Sequence, residues 1–166
     1  MDGKLPKRKH PRLKEYDYSE SGAYFVTICT NNRRCILSHV VGRGLAPAAV
    51  ELTDYGRIAE QELLLLHSRY PSVKVDAYVI MPNHIHILFV IENETAGASP
   101  RPTISDIVCA YKSLTTRKCQ EIRRVDKVFQ TSFYDHVVRD RSDYDDVYRY
   151  IETNPTQWEL DEFYIQ

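Results

Sequence analysis

Two apolar runs, VKVDAYVIM at residues 73–81 and HIHILFVI at 84–91, are separated only by Pro82 and Asn83. Runs rich in β-branched and apolar residues, broken by a Pro-Asn pair, read as a tight antiparallel hairpin. The hairpin commits the chain to a sheet. Residues 23–30 (AYFVTICT) supply a further strand, followed by a turn at Asn31-Asn32-Arg33-Arg34. A fourth, short strand is predicted over 133–138.

Helical patterns occupy the intervals. Residues 53–67 read as a helix with Thr53 as N-cap, Ile58, Leu63, Leu65 and Leu66 as core residues, and Pro71 beyond its end. Residues 104–123 carry Ile104, Ile107, Val108, Tyr111 and Leu114 on one stripe. Residues 142–153 form a last helix, with Ser142 as cap, acids in the first turn and Asn154-Pro155 as its stop. Residues 40–50 read as irregular and 92–103 as a loop. The order β-α-β-β-α-β plus a C-terminal helix predicts an α+β, ferredoxin-like fold. Its antiparallel sheet has helices on one face and leaves the other open for binding. The expected organisation is a basic flexible arm over 1–20, one domain over 21–157 and a tail over 158–166.

Composition narrows the class. The chain has 166 residues, 22 Lys+Arg against 23 Asp+Glu and a net charge of −1. No apolar run approaches the roughly 18 residues of a membrane span, and the polar start is no secretion signal. Four cysteines without CxxC spacing (Cys29, Cys35, Cys109, Cys119) read as reduced thiols in a cytoplasmic protein. The charge is uneven: net +5 over 1–14, −4 over 15–100, +4 over 101–139 and −6 over 140–166. Two basic segments and an acidic C-terminal stretch lie behind the near-zero total.

Strand side chains alternate, so His84 and His86 share one sheet face while Ile85 and Ile87 point to the core. Two imidazoles so placed can ligate one divalent ion. The pair also fits a partly exposed strand that happens to carry two histidines. In the last helix, Asp146, Tyr150 and Asn154 fall on one polar line, beside an apolar docking line of Val147 and Ile151. Tyr148 lies about 200° round the helix from Tyr150. A tyrosine hydroxyl can serve as a nucleophile, although most of the 12 tyrosines must be packing or surface residues.

PNHIHIL at the hairpin, FQTSFYDHVVRD, the closing YIETNP and YDYSESGAYFVTICTNNRR near the start occur in an order that resembles the REP-associated tyrosine transposases. These are single-tyrosine HUH enzymes acting on single-stranded DNA, and the likeness runs from about Tyr16 to Pro155. It implies His84, His86 and Asn154 as ligands of Mg²⁺ or Mn²⁺, and Tyr150 as nucleophile. It further implies cutting and rejoining beside hairpins of palindromic repeats through a 5′-phosphotyrosine, by a monomer or homodimer. No general base for Tyr150 is evident; His136 is a candidate, but it reads rather as a hydrogen-bonded structural residue. Phosphate contacts are expected from the arm (Arg8, Arg12) and the second helix (Lys112, Arg117, Lys118). The topology also admits a catalytically silent relative or an RNA-recognition-type module that binds without cutting.

Overall fold

The computed structural model describes residues 20–42, 48–92 and 102–165. The strands are β1 (Gly22–Cys29), β2 (Ser38–Val41), β3 (Ala49–Leu52), β4 (Val73–Ile80), β5 (His84–Ile91) and β6 (Tyr134–Val138). The helices are α1 (Asp54–Leu64), α2 (Leu66–Arg69), α3 (Ile104–Ile122) and α4 (Arg141–Thr153). The main sheet has the order β4-β5-β1-β6 with every pairing antiparallel, which is the ferredoxin-like arrangement. The predicted hairpin is there: Pro82 and Asn83 sit in the turn, closed by Met81 N–H donating to the His84 carbonyl (2.9 Å).

Alternation along β1 and β5 sorts the core into two layers. Tyr24, Val26, Ile28, Ile85, Ile87 and Phe89 point to one face. There they meet Ile58 and Leu63 of α1, Leu66 of α2, and Ile104, Ile107, Val108 and Tyr111 of α3. Each such side chain contributes about 1.5–3 kcal/mol by leaving water. Thr53 caps α1 as expected, accepting from Gly56 N–H, and Thr103 and Asp106 form a reciprocal capping box on α3. Buried Glu62 of α1 pairs with Arg69 (2.9 Å) and with Lys118 of α3. Burial by itself would raise the Glu62 carboxyl, but the two cations outweigh it and hold it below its ordinary range.

Gly56 marks a close approach of backbones. A Cβ there would collide with the Leu37 carbonyl oxygen, the acceptor that also receives Thr53 N–H (3.0 Å). Gly56→Ala is therefore expected to cost about 3 kcal/mol in urea unfolding. An unchanged midpoint would contradict this packing.

Several expectations are corrected. Residues 40–50 are not all irregular: β2 and β3 pair antiparallel, from Ser38↔Leu52 to Val41↔Ala49. Leu65 is 41% exposed rather than core, because it stands at the break between α1 and α2. The cap of α4 is Asp140, which accepts from Asp143 N–H (2.9 Å), and not Ser142.

The second sheet face is not open. Phe25, Cys29, Val79, Met81 and Leu88 are covered there by Val147 and Ile151 of α4 and by Trp158 and Phe163. The segment read as a tail is packed, since Trp158 and Phe163 are apolar enough to be buried. Of the N-terminal arm, residues 1–19 lie outside the described residues.

Candidate metal centre

β5 carries His84 and His86 on the face under α4, where both are fully buried. Their rings lie 4.4 Å apart, centroid to centroid. Each is held through Nδ1. His84 Nδ1 is 2.9 Å from Asn83 Oδ1. The Asn83 amide is oriented by its own Nδ2, which donates to the Phe163 carbonyl (2.7 Å). His84 is thus the Nδ1–H tautomer, with its Nε2 lone pair free. His86 Nδ1 meets the hydroxyl of Thr27, its cross-strand partner, at 2.8 Å.

Both Nε2 atoms are buried with no hydrogen-bond partner, and so is Asn154 Oδ1. A buried acceptor without a partner costs free energy, and three together call for a shared one. Asn154 is brought here by a change of helix type: α4 ends at Thr153 and a 3-10 segment, Asn154–Leu160, continues the chain. Asp161 follows directly. Ligand atoms of His84, His86 and Asp161 all lie within 4.8 Å of one another, and Asn154 Nδ2 donates to Asp161 Oδ2 (3.0 Å). Two imidazole nitrogens, an amide oxygen and a carboxylate fit a divalent ion of the Mg²⁺–Mn²⁺–Zn²⁺ range.

Burial holds both imidazoles neutral. His86 is pushed down to about 3. His84 also lies well below its ordinary value, through burial first and then His86 and Arg33, against an opposing interaction with Asn154. Neutral rings are the form that binds metal. The sign for stability follows: the unfolded chain takes up protons below about pH 6.5 while folded His86 does not. Metal-free protein should therefore lose stability as pH falls from about 6.5 towards 3, on the order of 4 kcal/mol from His86. Urea titrations with chelator across that range test this, and a flat profile would refute it.

Tyr150 is half-buried on the same side. Its ring lies 5.2 Å from His86 and edge-on to Phe25 at 5.9 Å. Burial raises its hydroxyl well above the usual tyrosine value, as do the nearby Asp161 and Glu162 charges, while a hydrogen bond with Asn154 opposes them. Tyr148 is exposed and stacks with Tyr144 at 6.5 Å, away from the histidines. The acids of α4 are engaged elsewhere: Asp143 with His136 (2.8 Å), Asp145 with Arg141 and Asp146 with Arg149. His136 is thus hydrogen-bonded within the fold, to a carboxylate of α4.

The remaining candidates lie apart. α3 packs on the opposite sheet face. Its Lys112 donates to the Thr131 carbonyl (2.7 Å) and its Lys118 pairs with Glu62, whereas Arg117 is exposed. Arg8 and Arg12 fall outside the described residues. Asp161, Trp158 and Phe163 were missed by the sequence reading. Their signal was the aromatic density of WELDEFYI, too apolar for a free tail.

The fold and centre together define a ferredoxin-like α+β domain with two buried histidines, a half-buried carboxylate beside them and an adjacent tyrosine. The chain belongs to the same family as an uncharacterized protein of Haemophilus influenzae. That relative is 31% identical over 173 residues, spanning 95% of this chain and 93% of that one. No protein-family model matches. The fold is also that of a solved REP-associated tyrosine transposase bound to a REP hairpin. The TM-score is 0.63 at 20% identity, covering 90% of this chain and 77% of the other. Among the described residues no helix is long and apolar enough to cross a membrane.

Proposed function

We propose that this protein is a metal-dependent tyrosine transposase that cuts and rejoins single-stranded DNA beside hairpins. The observation that carries the reading is the cluster of His84, His86 and Asp161, whose ligand atoms lie within 4.8 Å of one another, with the Tyr150 ring 5.2 Å from His86. His84, His86, Asn154 and Asp161 would hold the ion, Mg²⁺ or Mn²⁺. When bound, it supplies Lewis-acid stabilisation of charge on a phosphate and favours the tyrosine's phenolate.

Tyr150 Oη then attacks phosphorus in line. An O–P bond forms to the tyrosine, the P–O3′ bond breaks, and the departing 3′ oxygen takes up a proton. A 3′-OH reverses the step, so joining needs no nucleotide cofactor. Asp161 is well placed to receive the tyrosine proton when it is not engaged as a ligand.

Phosphate contacts on α3 would fall first to exposed Arg117, because Lys112 and Lys118 already have partners within the fold. Arg8 and Arg12 are proposed to serve from the arm. An RNA-recognition-type module is disfavoured. It would display aromatics on its central strands, whereas Tyr24, Phe25 and Phe89 are all buried. The test is incubation with hairpin-bearing single-stranded oligonucleotides and Mn²⁺, followed by denaturing electrophoresis. A metal-dependent covalent adduct is expected, and its absence across a broad hairpin panel would overturn the reading.

A further inference from the structure

Arg33 has no place in the chemistry so far, yet its surroundings hold it beside the centre. It lies in a 3-10 turn after β1, where Asn32 (φ 55°) and Arg33 (φ 52°) both adopt the left-handed conformation. Asparagine takes this conformation readily but arginine does not, so Arg33 is strained, and such strain gathers where a side chain must be aimed. The turn is pinned from outside: Asn31 N–H donates to the Val128 carbonyl (2.8 Å), and the Arg34 guanidinium donates to the Lys127 carbonyl (2.8 Å). The Arg33 guanidinium stands 5.0 Å from the centroid of Phe163, and its Nη1 makes one long bond to the Glu162 carbonyl (3.4 Å), which leaves its other N–H groups for a ligand. Phe163 in turn lies 4.7 Å from His84 and 6.1 Å from His86. One phenyl ring thus contacts both the cation and the two imidazoles. Phe163 is thus one of the aromatic rings that cover the imidazoles, with Trp158 over His84 and Tyr150 over His86, and it is the one that carries Arg33.

We infer that Arg33 binds the phosphodiester undergoing cleavage, with Phe163 filling the phosphate's place until DNA arrives. The inference rests on the function proposed above. A guanidinium suits this role because its planar fork can hold two non-bridging oxygens at once and neutralise the charge they gain.

The full-length chain with Arg33→Gln and Arg33→Lys tests it through three readouts: Mn²⁺ titration without DNA, the salt dependence of oligonucleotide binding, and single-turnover adduct formation. Arg33→Gln is expected to bind Mn²⁺ as the wild type does, which also reports a folded centre. Its salt slope should fall by about one and its adduct rate by roughly 10²-fold. Arg33→Lys should fall between the two, keeping the charge and losing the fork. If Arg33 served only to hold the Phe163 segment in place, its loss would disturb the neighbouring Asp161, and Mn²⁺ binding would weaken together with the rate while the salt slope stayed unchanged. That result, with wild-type cleavage intact, overturns the role of Arg33 alone. A wild type that binds DNA but never forms an adduct overturns the proposed reaction and leaves Arg33 to be judged by the salt slope. A wild type that neither binds nor cuts overturns both.

Discussion

Tyr150→Phe is expected to abolish the covalent DNA adduct, by about 10⁴-fold or more, as losses of a nucleophile do. The substitution removes one oxygen and keeps the ring. Contacts with His86 and Phe25 are aromatic and survive it, so the variant should fold and bind Mn²⁺. Tyr148→Phe is the control. Tyr148 stacks on Tyr144 at the exposed side of α4, and its loss should leave the adduct yield unchanged. Electrophoresis with mass spectrometry of the linked peptide reads both. A full adduct in Tyr150→Phe would move the nucleophile to another residue.

The second large effect concerns the centre itself. His86→Ala is expected to weaken Mn²⁺ binding by more than the roughly 10–100-fold that loss of an outer hydrogen-bond partner costs. Thr27→Val removes such a partner, since the Thr27 hydroxyl holds His86 Nδ1 at 2.8 Å. It should fall within the 10–100-fold range. Asp161→Asn should rank with the histidine variant if the carboxylate is a ligand, and near wild type if it serves only the Tyr150 proton. Calorimetric titration orders the three. Equal affinities in wild type and His86→Ala would remove the metal centre from the account.

Sequence legibility follows the range of the interactions. The period-2 pattern of β5 assigned His84 and His86 to one face and Ile85 and Ile87 to the other, and the burial of the two isoleucines among α1 and α3 agrees. The spacing of Tyr150 and Asn154 placed them on one side of a helix, and they lie near each other. Residues 158–165 escaped the same treatment. They form a 3-10 segment and a turn, which have no long periodicity to read, and they are ordered by contacts with distant residues such as Asn83. The helix cap was misplaced by two residues because Asp140 and Ser142 are both good capping residues and only the backbone path distinguishes them.

The sequence by itself determined the four strands of the main sheet, the three long helices, their order and the face each histidine takes. Those follow from backbone geometry and side-chain alternation over a few neighbouring residues. Only the tertiary structure decided that the second sheet face is covered and that Asp161 joins the histidines. It alone set Arg33 and Phe163 beside them and spent Lys112 and Lys118 on partners inside the fold. These contacts join residues far apart in the chain. Their free energies depend on which groups lose water together, and no local pattern carries that.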